Sequence, residues 1–481
     1  MKPLQKTIAK LAALLALSLL CSAAFAGVAL ASTACAVEYV EIECDSISEI
    51  NDAASEARDN ATAKHPYKII VEPGTYKTSS CIYLCSNTYL YAVGCTFKQT
   101  SRNVMVRTGP NKYAISTSKA KGYCYKNITI EGGVWDKGAC SSTGFQLCHG
   151  KNITVKNLTI KNVKNGHCIE TAGVNGLTIT NCKFKKQILT SSTKTTYEAI
   201  QLDILQEDHL GGYYSQDLPL KNVTVTNCSF QNVPRGVGTH TAVLNNPLTN
   251  LTITGCTFKN VKSCAIQLMG VKKVTIKNNT ITKAARGIFV YSYRTTGTFL
   301  GTKLNSSSTS SKKCKPINMK LVISNNSITL SGKKDAYDKW DAAGILVGGL
   351  YLSSATDGAK GKGGTMKKGN YYIKNVKVTN NTVNSKNGHG IRLNDVRNAT
   401  VQGNKTSYAG GSKSKQSWGI SICERSQSVK VKGNTVKGYY RGIYLYYYTK
   451  STKVTGNTVT GSYGSKITAD STSKGTFSGN K

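Results

Sequence analysis

The chain has 481 residues, 39% of them hydrophobic, with 63 Lys plus Arg against 24 Asp plus Glu and a formal net charge of +39. That apolar content supplies a large core and excludes a disordered polyelectrolyte, while the charge balance points to a polyanionic partner. A repeat running from the first third of the chain to its last residue argues for one elongated body, with no division into several globular domains.

Residues 1–36 place Lys2, Lys6 and Lys10 ahead of an apolar run from Leu11 to Leu20 and then small residues, the pattern of a signal peptide cleaved after Ala26, Ala31 or Ala36. Export is the expected fate, with residues 37–481 as the mature domain, secreted or associated with the cell surface. Cys35 follows Ser32-Thr33-Ala34 and lacks the upstream aliphatic residue of a lipoprotein signal. No later stretch reaches the ~20 apolar residues of a membrane span.

Residues 46–63 follow, with Ser46 and Glu49 in a capping-box pattern and Ile50, Ala53, Ala54 and Ala57 at helical spacing. This predicts a short amphipathic helix that closes the first coil, because an open end exposes both core and unpaired strand edges. Strands are predicted at 67–71 and 82–97, with a turn at Glu72-Pro73-Gly74.

From about residue 126 to the end, one phrase recurs: a β-branched alternation, then Asn or Gly, then a small residue. NITVKNL (152–158), GLTITNC (176–182), NVTVTNC (222–228), NLTITGC (250–256) and KVTIKNN (273–279) are examples, and the shortest spacings are 23 to 25 residues. Strands at such a period signal an all-β solenoid in which each coil buries its face against its neighbours. A second strand per unit reads small-Ile-x-Leu/Val, as in CIETA (168–172), AIQLD (199–203), AIQLM (265–269), GIRLN (390–394) and GIYLY (442–446). Its Ile and Leu point inward and the intervening residues outward. Longer spacings mark insertions at 183–221, 293–318 and 331–372, expected as walls beside a binding face.

Cys182, Cys228 and Cys256 share one phase of the repeat and are expected to stack as small core residues. Cys81, Cys85, Cys95, Cys124, Cys140 and Cys314 lie off that register and are the disulfide candidates of an exported chain. The Asn-x-Thr triplets at Asn127, Asn152 and Asn157 follow from the repeat and are not read as glycosylation signals.

The cap, the KIIVEPGTY opening (68–76), the strand-turn phrases and the GGVWD segment (132–136) together resemble secreted right-handed parallel β-helix proteins of the pectate lyase and polygalacturonase superfamily. The resemblance spans residues 40 to 481 and implies a right-handed parallel β-helix with carbohydrate substrates. Of the polygalacturonase motifs only Gly388-His389-Gly390 is present, without the preceding acids, so no family catalytic residue carries over.

Aligning the second strands gives outward columns. One reads Gln146, Glu170, Gln201, Gly238, Gln267; the next reads Cys148, Ala172, Asp203, His240, Met269; a third column, at the turn before the strand, reads His167, Glu198, Arg235, Cys264, and the first three of these have inward parity where the strand extends that far. Glu170 and Asp203 would sit roughly 8 Å apart, a separation suited to inverting glycoside hydrolysis. Asp203 beside His240 is alternatively a base with its orienting partner for elimination next to a uronate carboxylate. Glu170, Asp203 and His240 are thus the candidate catalytic residues. Arg235, Gln201, Gln267, His167, Glu198 and Tyr291 are candidates for binding substrate, with Phe289, Tyr213 and Tyr214 adding stacking surface; Glu198 with Arg235 reads equally as a structural ion pair. Tyr444 to Tyr448 reads first as an aromatic ladder and second as a sugar platform, and His389 with Arg392 as a second site.

No Cys/His cluster has metal spacing, and no cofactor is required; calcium is the one possible ion, at Asp335, Asp338 and Asp341. For an exported basic chain the expected partner is an acidic polysaccharide or cell-wall polyanion and not nucleic acid; the sequence assigns no oligomeric state. The function read from the sequence is a polysaccharide hydrolase or lyase, with a non-catalytic glycan-binding adhesin as the alternative.

Overall fold

The alternation in each phrase ends at an Asn or Gly because the backbone there turns left-handed. Asn181, Asn227, Gly255, Asn278 and Gly403 have φ between 53° and 65°, a region that costs most residues about 1–2 kcal/mol but suits Gly and Asn. Asn157 shares that corner with Asn181, while Asn127 and Asn152 stand opposite each other at an earlier left-handed position inside their strands; all three have φ 57°, which accounts for the recurring Asn-x-Thr triplets.

The computed structural model describes residues 37–110, 120–190, 197–205, 217–239, 246–294, 315–335, 342–351, 372–410, 415 and 417–481. Met1–Glu38 and Tyr39–Lys481 are separate compact units, and of the first only residues 37 and 38 are described. In the second unit, every pairing between named strands is parallel and joins one coil to the next. A representative coil runs through Leu248–Thr254, Thr257–Lys259 and Cys264–Met269. These pair with Val271–Lys277, Thr280–Ala284 and Arg286–Arg294 of the next coil. The second unit is therefore an all-β parallel solenoid with three strand ladders around one core.

Period-two alternation places Val155, Ile179, Val225, Ile253 and Ile276 in one inward file, all buried. A second file carries aromatic rings: Phe97 stacks on Trp135 at 4.1 Å, and Phe184, Phe230 and Phe258 stack at 5.0 and 4.5 Å. A third file follows the left-handed corner. There Cys182, Cys228 and Cys256 are free and buried, and Asn279 takes the next place, its Oδ1 accepting from the backbone N–H of Cys256 at 3.0 Å. From that coil onward the file is asparagine: Asn326, Asn381, Asn404, Asn434, Asn457 and Asn480, each Oδ1 accepting from the preceding Asn Nδ2 at 2.9–3.0 Å.

The cap is an α-helix over Ile47–Asn60, with Ser46 at the N-cap accepting from the N–H of Glu49 and with Ile50, Ala53, Ala54 and Ala57 buried. Parallel pairing starts ahead of it: Val40–Cys44 pairs with Tyr67–Val71, which pairs with Thr88–Tyr91. The coils thus begin well before residue 126, and the helix is an excursion between the first two strands of a ladder. Among the described residues no helix is long and apolar enough to cross a membrane.

The described cysteines are free thiols, including Cys81, Cys85, Cys95, Cys124 and Cys140, so the expected bridges among these five are not formed; Cys314 lies outside the described residues. Cys81, Cys85 and Cys95 are buried in the coil, where Cys81 Sγ meets the Ile82 carbonyl and Cys95 Sγ the carbonyls of Val71 and Glu72, and burial pushes the Cys85 thiol up to about 11. Much of each insertion expected as a groove wall also lies outside the described residues.

Candidate functional site

The second-strand ladder fixes the columns by register. Gln146, Glu170, Gln201, Gly238 and Gln267 stand in one file across five coils. Cys148, Ala172 and Asp203 form the neighbouring file, and Met269 faces Tyr291 further along it. Glu198 faces Arg235 in a third. His240 falls outside the described residues, as do His209, Tyr213 and Tyr214.

The third file shows why simple parity misleads at the strand entrance. Ala199 and Ile200 both pack in the main core, as do Ala265 and Ile266. The chain turns a corner there, and the residue before the corner is released to the outer face: Cys264 packs with Phe289, Ala343 and Leu346, apart from the main core. Glu198 and Arg235 lie outward in the same way, across the face of Gly238. A Cβ at Gly238 would meet Glu198 Cγ at 2.5 Å and Arg235 Cδ at 3.0 Å. Glycine interrupts the glutamine file because the ion pair occupies that space.

The pair is enclosed. Arg235 Nη1 donates to Glu198 Oε1, with the two side chains 6% and 0% exposed. His167 Nδ1 lies 3.4 Å from Glu198 Oε2 and 3.1 Å from the Glu198 carbonyl oxygen, with Tyr197 edge-on to its ring at 5.0 Å. Three coils thus contribute a histidine, a carboxylate and a guanidinium to one buried cluster. Such a cluster persists only when its charges are compensated, because each has given up hydration worth several kcal/mol.

The remaining acids of the site also have partners. Gln146 Nε2 donates to Glu170 Oε2 at 2.6 Å, and Gln201 Nε2 donates to Asp203 Oδ2 at 2.6 Å. Glu170 is 7% exposed and Asp203 0%. The ladder brings Glu170 and Asp203 onto adjacent coils, offset by two residues, as the columns require. Gln267 is buried and donates to the Tyr291 hydroxyl at 3.2 Å; Tyr291, read from the sequence as a substrate-binding residue, and Phe289, read as stacking surface, are both fully enclosed.

Downstream, one coil beyond Cys264, lies a second buried ionic group. Arg286 follows Cys264 in the third file. Its Nε donates to Asp335 Oδ2 at 2.5 Å, its Nη2 to Gln267 Oε1 at 3.1 Å and to Ser263 Oγ at 3.3 Å, and its guanidinium lies 4.4 Å from the Phe289 ring centroid. Ser263 Oγ also donates to Asp335 at 2.8 Å. Asp335, considered above for calcium, is thus engaged by an arginine; Asp338 and Asp341 lie outside the described residues. Among the described residues no group of three or more His, Cys, Asp or Glu side chains is placed to hold a metal ion. Burial pushes the Cys264 thiol up to about 11 even with Arg286 and Arg235 pulling it down, so it stays protonated near neutral pH.

Comparison with known proteins places this scaffold. A family model described as "Right handed beta helix region" matches residues 143–349 and 352–481. The plasmin and fibronectin-binding protein A of Streptococcus pneumoniae is 28% identical over 206 residues, which take in 40% of this chain and 28% of that protein. The chain thus aligns with under a third of that relative's length. The crystal structure of PfbA, a surface adhesin of S. pneumoniae, matches with a TM-score of 0.60 and 19% identity, covering 86% of this chain and 88% of that one. A mutant tailspike protein of E. coli bacteriophage HK620 in complex with a pentasaccharide matches with a TM-score of 0.52 and 13% identity, over 90% and 74% of the two chains. At these identities the solved structures establish the fold alone. With parallel ladders, an inward aliphatic file and a family match over most of its length, the chain belongs to the right-handed parallel β-helix family.

Proposed function

We propose that this chain is an exported, surface-associated β-helix protein that binds acidic polysaccharide without cleaving it. The observation that carries this reading is the state of the acids in the candidate cleft. Glu198 is enclosed and held by Arg235 and His167, Asp203 is enclosed beside Gln201, and Glu170 is held by Gln146. A general acid or nucleophile must reach the scissile bond, and groups buried in mutual contacts do not. Binding asks less: residues 37–481, with 60 Lys plus Arg against 24 Asp plus Glu once Lys2, Lys6 and Lys10 are removed, carry a net charge of +36, which attracts a polyanion. Similarity to a pneumococcal surface adhesin, and to a phage tailspike in complex with a pentasaccharide, supports the same reading. The signal-like residues 1–36 supply the expectation of export.

A second reading, hydrolysis or elimination at Glu170, Asp203 and His240, is favoured by one observation: the two carboxylates lie on adjacent coils with the offset that suits a bond held between them. Arg235, His167, Gln201, Gln267 and Tyr291 would then contact the sugar. The two readings separate in one experiment. The secreted form and an Asp203→Asn variant are incubated with pectate, hyaluronan, chondroitin and alginate, while bound polymer, new reducing ends and unsaturated product are measured. Binding by both proteins without either product is the expected result; product formed by the wild type and lost in the variant would replace binding with catalysis.

A further inference from the structure

Beyond Tyr291 the outward face of the same ladder changes character. Strands His389–Asn394, Trp418–Cys423 and Arg441–Tyr446 pair in parallel, so Arg392, Ser421 and Tyr444 form one file and Asn394, Cys423 and Tyr446 the next. The middle coil contributes only small residues to these files. The Trp418 ring packs near the gap they leave, 5.0 Å from Tyr444 and 5.7 Å from Tyr446 between centroids. The Arg392 guanidinium lies 5.5 Å from the Trp418 centroid, and that of Arg441 lies 4.0 Å from Tyr444. Rings continue through Tyr447 to Tyr448, spaced 5.9 and 4.9 Å.

Unlike the enclosed cluster upstream, this surface is partly accessible, although Tyr444 itself is buried at 5% exposure. Arg392, Trp418, Arg441, Tyr446 and Tyr447 are half-buried, and Tyr448 is 45% exposed. Arg441 forms no ion pair among the described residues; its guanidinium lies over the Tyr444 ring and bonds to the Tyr444 side chain, and its further N–H groups suit an acid group. The neighbouring acids are held by the coil itself: Asp470 accepts from the N–H groups of Tyr447 and Thr472, and Asp395 faces Arg425 at 3.9 Å. Glu424 lies in the field of Arg392 and Arg425.

We infer that Arg392, Trp418, Arg441, Tyr444 and Tyr446 form a subsite for an anionic sugar ring, whose apolar C–H face rests on Trp418 and Tyr446 and whose acid group meets Arg441. Rings present a broad, rigid apolar surface with little entropy to lose, and the planar guanidinium matches a carboxylate or sulfate with two parallel hydrogen bonds. This placement rests on the acidic-glycan reading above and assigns it to the coils between residues 389 and 448.

The test uses the 37–481 chain with polygalacturonate, dextran sulfate and neutral dextran, by titration calorimetry and by tryptophan emission. Polygalacturonate and dextran sulfate distinguish carboxylate from sulfate as the acid group. The wild type should bind at least one of them, and Trp418→Ala should weaken binding by about 10-fold or more, or about 1.4 kcal/mol. Arg441→Gln should remove the preference for the anionic polymer over neutral dextran. Circular dichroism identifies the folded variants, and folded variants that bind like the wild type would overturn the subsite while leaving the proposed function intact. If the wild type binds neither polyanion, the proposed function fails and the subsite with it. Should Trp418→Ala not fold, Trp418→Phe serves: polymer should change the wild-type emission and leave that of the variant unchanged, and an equal change in both overturns the placement.

Discussion

Glu198 has left water and met a guanidinium in its place, and the energetics of that exchange are testable. Replacing Arg235 with Met removes the partner but leaves the carboxylate enclosed, so Arg235→Met should lower stability by about 3–5 kcal/mol. Arg235→Met with Glu198→Gln should recover most of the loss, because no buried charge is left uncompensated. Chemical denaturation of the single and double variants measures both, and a single-variant loss below about 1 kcal/mol would show the pair to be hydrated. Asp395 presents the opposite case. Burial pushes its carboxyl from 3.8 up to about 6, while Arg425 and Arg397 pull it down. The native state therefore holds this proton more tightly than the unfolded chain does. The stability this contributes is complete below pH 4 and is lost as pH rises through about 6, on the order of 3 kcal/mol. Asp395→Asn keeps the shape and suits the left-handed backbone at φ 48°. Its stability relative to the wild type should rise between pH 4 and pH 7, and a difference that stays flat across that range would remove the assignment.

At the scale of the strand and its corner, the buried asparagine file does what a backbone ladder does elsewhere. Asn404 Nδ2 donates to the carbonyls of Val378 and Gln402 and to Asn434 Oδ1, and its Oδ1 accepts from the backbone and side chain of Asn381. Asn404→Leu keeps the approximate volume and strands several polar groups, each unmade bond costing about 1–3 kcal/mol. The midpoint of urea unfolding should fall by an amount equal to about 2–4 kcal/mol, whereas Lys430→Gln at an exposed strand position should change it little. The file was legible in the sequence, because its residues recur at one phase of the repeat. The corner at Ala199 was not. Parity assumes a straight strand, so it turned Glu198 inward until the packing of Cys264 with Phe289 showed the bend. Arg286 was readable by extending the third column one coil further. Asp335, which holds it from 49 residues away in sequence, carries no local signal at all.

Over the whole solenoid, contacts run from each coil to its neighbours, so stability should accumulate coil by coil. Residues 434–456 span one coil from marker to marker: Asn434 and Asn457 hold the same place in the file, as do Thr435 and Thr458 in the adjoining strands. Deleting those residues joins Gly433 to Asn457 in register. The shortened chain should fold with its β circular dichroism intact and a modest loss of stability, while deleting about half as many residues from the same coil should abolish cooperative unfolding. Equal disruption by both deletions would contradict nearest-neighbour stabilisation. The excess of cations acts on the same scale, drawing acidic polymers to the molecule as a whole.

The sequence by itself determined the solenoid, its phase, the inward files and the neighbours in each outward column, because a period-two strand repeated at coil spacing specifies register without distant information. It also gathered Glu170, Asp203, Glu198 and Arg235 into one neighbourhood. The packed coil settles what that neighbourhood is: Glu170 and Asp203, which alternation directs outward, are enclosed with glutamine partners, while Trp418, Arg441 and Tyr446, several coils away, are partly accessible. Alternation fixes which face of the sheet a residue occupies, but burial on that face depends on bends, on glycines such as Gly238 and on partners from remote chain, and those are set by the packed coil.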